Sequence, residues 1–272
     1  MTGWLTIREG TRPLIVAFPH TGTSLPEDIA GHFVSPERAR RDTDWWVDQL
    51  YAFAADMGAT ILHTAISRSV IDVNRDPSGA SLYPGQNTTT LCPLTTFDGA
   101  PLYKPGREPD DAEIERRRAA FHTPYHKALE SQIARLRAAH GGVVLYDAHS
   151  IRSQIPDLFD GLLPVFNVGS NYQTTCAPPL ADRVTEICAA SGEPTVLDGR
   201  FRGGWTVRHH GKPTSGVHAI QMELSCRGYL REPIGAVTDD DWPVPFDAEY
   251  AAPMIETLRQ VLDACLAFAE TP

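Results

Sequence analysis

Short apolar runs alternate along this chain with segments of helical periodicity, and this alternation constrains the fold more than any other feature of the sequence. Runs rich in β-branched residues, with continuous or period-two hydrophobicity, predict strands. The predicted strands lie near residues 13–18, 59–63, 69–73, 143–147, 163–167, 194–197, 205–208 and 217–224. Strands that alternate with crossover helices form a largely parallel sheet covered on both faces. The sequence therefore predicts an α/β fold.

Apolar residues that recur every three to four positions predict helices between these strands. The predicted helices cover roughly residues 36–57, 110–140 and 247–269. Ser35 and Pro36 are typical of an N-cap and a first helical turn. Pro124 should kink or divide the second helix, because proline removes a backbone donor and clashes with the preceding turn. The third helix is expected to pack on the sheet.

Residues 76–110 are rich in Pro, Gly and Thr and have no helical or strand period. A loop of this length inside a compact domain is usually a functional lid or a disordered insertion. Large apolar and aromatic side chains could anchor this loop to the core and so favour a lid. These are Tyr83, Leu91, Leu94, Phe97 and Tyr103.

Composition excludes several classes of partner. The chain has 272 residues, with 24 Lys and Arg against 34 Asp and Glu, and a formal net charge of −10. A nucleic-acid or anionic-membrane partner would require a basic face. The five cysteines contain no C-x-x-C pair, so neither a zinc ribbon nor a disulfide framework is indicated. Without a signal-peptide pattern or an apolar run near ~18 residues, we expect a soluble cytoplasmic protein.

Polar residues gather where the predicted strands end. His20 follows the first strand, Asn74 and Arg75 follow the third, His149 follows "VVLYDA", and Glu223 lies in the last strand between apolar neighbours. Ligands of open α/β sheets bind beyond the carboxyl ends of the strands. We therefore expect these side chains to share one edge of the sheet.

Two histidines and a carboxylate from separate elements suit a catalytic zinc, which takes three protein ligands and keeps one open position. His20 and His149 offer the imidazoles, and "RRDTDWW" offers Asp42 and Asp44. Asp147 is a possible hydrogen-bond acceptor behind His149. Taken one at a time, the histidines could be structural and Glu223 could pair with an arginine, so the residues alone leave these alternatives open.

Six motifs in order resemble the N-formylglutamate amidohydrolase family. They are "FPHTGTSLP", "DTDWWVDQLY", "SRSVIDVNRDP", "LYDAHSIRSQIP", "GRFRGGWTVRHHGKP" and "GVHAIQMELSCRGYL". The resemblance runs from about residue 8 to 235 and then through the terminal helix. It implies a single domain over residues 1–272, built as a three-layer sandwich like zinc exopeptidases, with a mixed, mostly parallel sheet and helices on both faces.

The resemblance also implies a set of ligands for one zinc ion per chain: His20, Asp44 and His149. Asp44 is preferred to Asp42 because the family motif keeps an acid four residues before Asp48. Zinc carboxypeptidases place their acidic ligand closer to the first histidine, as H-x-x-E, and this chain has Thr23 at that position.

The implied reaction is hydrolysis of N-formyl-L-glutamate to formate and L-glutamate, as in bacterial histidine degradation. Glu223 matches the general base of the wider superfamily, and Arg68 is placed to stabilise the developing oxyanion. Asn74 and Arg75 resemble a pair that binds a substrate carboxylate. Further candidates for contact with this small anionic substrate are Asn167, Arg202 and His209.

Two other functions remain open from the sequence. One is a zinc amidohydrolase of the same fold that acts on another N-acyl amino acid or small amide. The other is a non-catalytic homologue that binds a small molecule. The sequence leaves the oligomeric state open.

Overall fold

The structure is a computed structural model that describes residues 3–82, 85, 88–238 and 241–271. These residues include a mixed sheet of seven strands. The strands are β1 (Leu5–Arg8), β2 (Leu14–Phe18), β3 (Thr60–Thr64), β4 (Val143–Ile151), β5 (Phe166–Gly169), β6 (Thr195–Leu197) and β7 (Val217–Ser225). Their order is β1-β3-β2-β4-β7-β5-β6. β1 pairs antiparallel with β3 and β5 pairs antiparallel with β7, whereas the other neighbours are parallel. This confirms the predicted mixed, mostly parallel sheet.

Helices cover both faces of the sheet. The described residues form α1 (Glu27–Ala30), α2 (Pro36–Arg40), α3 (Val47–Leu50), α4 (Asp111–Arg117), α5 (Thr123–His140), α6 (Pro178–Ala190), α7 (Trp205–His210) and α8 (Ala248–Glu270). Alternate residues of β2 point to opposite faces. Leu14 and Val16 pack in a core with residues of α3, α6 and α8, and Ile15 packs in a second core with residues of α5. The result is the expected three-layer sandwich.

The single helix predicted over 36–57 is wrong, because the chain forms two short helices, α2 and α3, followed by a 3₁₀ turn at Ala52–Ala55. Ser35 caps α2 as expected, accepting from the Arg38 backbone N–H at 3.1 Å. After α2 the Asp44 N–H donates to the His20 carbonyl at 3.0 Å, and Trp46 has a φ of 65°. Helical periodicity is interrupted here because Asp44 contacts His20 instead of continuing the helix.

Two predicted strands are also wrong. Residues 69–73 form turns, in which the Asp72 N–H donates to the Leu91 carbonyl at 2.7 Å. Residues 205–208 belong to α7, whose first N–H groups donate to Asn74. Periodicity alone does not separate short apolar strands from buried helical turns. The elements β1, α1 and α6 were not predicted from the sequence.

The long helix predicted over 110–140 is divided, as Pro124 indicated. A π-helical turn (Arg118–His122) separates α4 from α5, and Pro124 lies in the first turn of α5, where proline is tolerated. The last helix, α8, agrees with the prediction to within one residue and is capped by Asp247. No helix in the described ranges is long and apolar enough to cross a membrane.

The described residues of the loop 76–110 form turns and isolated β-bridges. Leu91, Phe97 and Tyr103 are buried, as their proposed anchoring role requires, whereas Leu94 is 47% exposed. The Tyr103 hydroxyl donates to the Ser69 carbonyl at 3.2 Å, and its ring stacks on Phe33. Tyr83 lies outside the described residues.

Gly22, in the turn after His20, is expected to tolerate no side chain. A Cβ at this position would lie 2.4 Å from the Ala65 carbonyl carbon and 2.5 Å from the Ile66 oxygen, both backbone atoms. These backbone atoms cannot move aside as the end of a flexible side chain can. Gly22→Ala should therefore lower the free energy of unfolding, measured by urea denaturation, by about 1–3 kcal/mol. Gly31→Ala is the matched control, because a Cβ there meets nothing within 4 Å. Equal stability of the two variants would contradict the prediction.

Candidate metal centre and active site

Two histidines and an aspartate from separate elements meet at the carboxyl edge of the sheet. His20 follows β2, His149 lies near the end of β4, and Asp44 lies between α2 and α3. One ligand atom from each lies within 4.8 Å of the others, and all three side chains are buried. Asp44 Oδ2 is 3.0 Å from His149 Nδ1 and 3.6 Å from His20 Nδ1. The structure therefore brings together the three predicted ligands.

Two further carboxylates hold the far nitrogens of the imidazoles. His20 Nε2 lies 2.7 Å from Asp72 Oδ1, and His149 Nε2 lies 2.9 Å from Asp147 Oδ2. A carboxylate accepts at these distances, so each Nε2 carries a proton and each Nδ1 faces Asp44. Metal-ligating histidines are oriented by this kind of outer carboxylate. Asp147 and His149 are two residues apart on one strand and so share a face, which makes this contact readable from the sequence.

The donor set could hold a metal ion. His20 Nδ1 is buried and has no hydrogen-bond partner among the described residues. A buried, unpaired nitrogen costs free energy unless something binds it. Two imidazole nitrogens and one carboxylate match the ligands that zinc takes in sites with an open position. These residues therefore fit the metal that the sequence indicated.

Without a metal, the charges in this centre are strongly coupled to each other. Burial opposes a charge on His149, but the carboxylates of Asp147 and Asp44 outweigh it and raise the pKa of His149 well above its usual range. Burial likewise raises the pKa of Asp44, but His20 and His149 outweigh it, so the pKa of Asp44 lies below its usual value. A metal at Nδ1 would take the place of the proton on His149, because metal ligands must be deprotonated.

Arg68 lies against the two carboxylates that flank His20. Its guanidinium donates to Asp72 Oδ2 at 2.8 Å and to Asp44 Oδ1 at 3.3 Å, and its Cζ lies 4.9 Å from the centre of the Phe97 ring. The side chain is buried but still lines the cavity above His20 and His149. Arg68 thus compensates buried negative charge and can also face a ligand.

Glu223 lies beside the centre on β7, directly opposite His149 in the sheet register. Its Oε2 accepts from Gln221 Nε2 at 3.2 Å. Burial raises the pKa of Glu223 to about 8, with His149 acting against this shift and Asp44 adding to it. A carboxyl group with such a pKa can both hold and release a proton near neutral pH.

A cavity opens above His20, His149 and Glu223. The side chains around it are mainly arginine, threonine, aromatic and aliphatic. Its other lining residues are Arg68, Asn74, Arg75, Thr88, Thr89, Phe97, Ile151, Leu158, Arg200, Phe201, Gly204 and Gln221. The loop 76–110 therefore supplies one wall of the cavity.

Asn74 connects this centre to α7. Its Nδ2 donates to Asp147 Oδ2 at 3.1 Å, and its Oδ1 accepts from the Thr206 N–H at 2.8 Å. Gly204 permits this close approach, because a Cβ there would lie 2.5 Å from the Asn74 amide. The Asn74 side chain is thus already engaged within the protein.

Three predicted substrate contacts lie elsewhere, since Asn167, Arg202 and His209 are not among the described residues that line the cavity. Asn167 Nδ2 donates to the Glu223 carbonyl at 3.1 Å, and Arg202 Nε donates to the Gly199 carbonyl at 3.2 Å. His209 stacks on Trp205.

The expected orientation of His209 depends on a predicted strand at 205–208. This segment is instead the helix α7, in which side chains do not alternate between two faces. Arg200 lines the cavity instead, two residues before Arg202 in the same "GRFRGG" motif. Its Nε donates to the Leu158 carbonyl at 2.8 Å. The motif indicated an arginine at the cavity. The sequence did not show the shape of its turn, and so could not show that Arg200 rather than Arg202 lines the cavity.

Known proteins similar to this chain, in sequence and in structure, include N-formylglutamate deformylases and an N-formylglutamate amidohydrolase. The family model of N-formylglutamate amidohydrolases matches residues 12–230. The N-formylglutamate deformylases of Pseudomonas aeruginosa and Pseudomonas putida are each 42% identical to this chain over 265 residues, which is 97% of this chain and 96% of each relative. The crystal structure of an N-formylglutamate amidohydrolase from Ralstonia eutropha JMP134 has a TM-score of 0.76 at 24% identity and covers 98% of this chain and 97% of its own. At that identity, the structural likeness shows the fold alone.

Removal of the Arg68 charge should destabilise the metal-free protein strongly. Arg68→Leu leaves Asp44 and Asp72 buried without their shared cation, and breaking a buried ion pair in this way typically costs about 3–5 kcal/mol. Urea denaturation in the presence of a chelator measures the effect. Arg118→Leu removes an exposed pair with Glu115 and should change the midpoint little. An Arg68 variant as stable as this control would show that the centre does not need the cation.

Proposed function

Because this chain belongs to the N-formylglutamate amidohydrolase family, we propose that it hydrolyses N-formyl-L-glutamate to formate and L-glutamate. The observation that carries the proposal is the meeting of His20, Asp44 and His149 beside Glu223, under a cavity lined by arginines. The two N-formylglutamate deformylases from Pseudomonas also support it, because each aligns with this chain over nearly the full length of both proteins.

The proposed cofactor is one zinc ion, held by His20 Nδ1, His149 Nδ1 and a carboxylate oxygen of Asp44. The unpaired His20 nitrogen and the outer carboxylates of Asp72 and Asp147 support this assignment. When bound, zinc would polarise a carbonyl oxygen and lower the pKa of water to ~7.

Glu223 would move the proton in the reaction. Its carboxylate takes a proton from the water whose oxygen attacks the formyl carbon, and it donates that proton to the glutamate nitrogen as the C–N bond breaks. Its position opposite His149 in the sheet register supports this role. Arg68 would donate to the formyl oxygen as negative charge develops there, a contribution typically of ~2.7–4 kcal/mol.

The two substrate carboxylates require two cationic contacts, and arginine binds a carboxylate with two parallel hydrogen bonds. Arg75 is proposed for one of them, because it lines the cavity and is oriented by Thr89 through bonds of 3.1 Å and 2.9 Å. Arg200 is proposed for the other. Asn74 and Asn167 would act by position, since Asn74 holds Asp147 and Asn167 holds the Glu223 backbone.

The proposal extends to the loop 76–110, the location of the protein and the pathway. Loop 76–110 would close over the substrate as a lid, because Thr88, Thr89 and Phe97 already line the cavity. The proposal also includes a cytoplasmic location and a role in histidine degradation, as the family resemblance implies.

Formate release from N-formyl-L-glutamate tests the reaction and the metal together. We expect about one catalytic zinc per chain, loss of activity on chelation, and recovery when zinc is restored, because His20 Nδ1 then regains its partner. Formate is measured enzymatically and zinc by elemental analysis. Bound zinc without formate would discard the substrate, and unchanged activity after complete chelation would discard the metal.

Two variants separate the base from the metal in the same experiment. Glu223→Gln should retain zinc and lose about 10²–10⁴-fold in kcat, because the amide cannot accept a proton. His149→Ala should lose the zinc ion of this centre as well as the activity. Turnover near that of the wild type in Glu223→Gln would identify the wrong base.

Arg200 and Arg202 form a matched pair for substrate selectivity. Arg200→Gln should lower kcat/KM for N-formyl-L-glutamate about 30-fold, corresponding to ~2 kcal/mol for the loss of one charged contact. It should change kcat/KM for N-formyl-L-glutamine much less. Arg202→Gln should leave the ratio between the two substrates unchanged, because Arg202 does not line the described cavity. A changed ratio in Arg202→Gln alone would restore the sequence prediction and exclude Arg200.

A further inference from the structure

The contact between α5 and α7 carries a histidine cluster outside the active-site cavity. His126 and Glu130 lie one turn apart on α5, and His209 and His210 end α7. We propose that Glu130, His209 and His210 form a second binding site for a divalent transition-metal ion such as zinc. One ligand atom from each lies within 4.8 Å of the others, and His209 Nε2 is 3.5 Å from Glu130 Oε1.

A hydrogen-bond relay fixes the tautomer of His210. His126 Nε2 lies 2.8 Å from the Val73 carbonyl, which only accepts, so this nitrogen carries the proton. His126 Nδ1 therefore has a lone pair and accepts from His210 Nε2–H at 2.9 Å. His210 Nδ1 is left with a lone pair that can bind a metal.

The other two ligands are oriented but reachable. The His209 ring stacks on Trp205, with ring centres 4.9 Å apart and planes 17° apart. His210 is buried, whereas the side chains of His209 and Glu130 are 37% and 57% exposed. An ion could therefore reach this site from solvent. Two imidazoles and a carboxylate prefer zinc, nickel or copper to magnesium or calcium.

The proposed second site is connected to the first through the backbone. The relay ends on the Val73 carbonyl, and the first N–H groups of α7 donate to Asn74, which contacts Asp147. A metal bound to Glu130, His209 and His210 would join α5 to α7 behind Asn74. Because a ligand that binds only the native state stabilises it, zinc should raise the melting temperature through this site.

Zinc counting in matched variants tests the proposal. The full-length protein is dialysed against buffered free zinc, and bound zinc is measured by elemental analysis. Wild type should bind one zinc more per chain than His209→Ala at saturation, and Glu130→Gln should bind that ion more weakly, because a neutral amide replaces the carboxylate ligand. His32→Ala, a partly exposed histidine outside the cluster, is the control and should match wild type.

The melting temperature provides an independent measurement. Once the first centre is filled, further zinc should raise it in wild type and His32→Ala but not in His209→Ala. His149→Ala, which removes a ligand of the first centre, should keep the second ion, so the two sites fail separately. Equal zinc binding by wild type and His209→Ala at every concentration would overturn the proposal. So would an equal loss of zinc in His32→Ala, because the extra ion would then be non-specific.

Discussion

Buried negative charge at the carboxyl edge of the sheet is the constraint on which the rest of this structure depends. Asp44, Asp72 and Asp147 are at most 1% exposed, and buried carboxylates are stable only when paired. Their partners are His20, His149 and Arg68. These partners come from distant parts of the chain, so the pairing requires that β2, β4 and the turn at residues 69–75 meet.

The same constraint explains where regular structure stops. The helix expected over 36–57 breaks so that Asp44 contacts His20 and His149, and the strand expected over 69–73 becomes a turn that brings Asp72 to His20 and Arg68. In both segments the local pattern favoured a continuous element. A buried charge left without its partner typically costs about 3–5 kcal/mol, whereas helix propensity amounts to at most about 0.7 kcal/mol per ordinary residue.

The positions of His20, His149 and Glu223 could be predicted because parallel strands end at one edge of the sheet. His20, His149 and Glu223 each follow or end a strong apolar run, and the alternation of strands and helices made those strands parallel. Asp147 behind His149 also follows from strand geometry. By contrast, Arg200 and the orientation of His209 depend on the turn at 199–204 and on α7, whose short apolar pattern suits either a strand or a helix.

The sequence by itself determined the α/β class, the main strands, the terminal helix, the family and the residue types of the candidate metal centre. Periodicity and strand ends encode these features locally, and ordered motifs carry the family resemblance. Only the tertiary structure decided which nitrogen of each histidine faces Asp44, which arginine lines the cavity, and that Glu130 meets His209 and His210. These features depend on contacts between residues far apart in the chain, and such contacts form only when the packed core brings separate elements together.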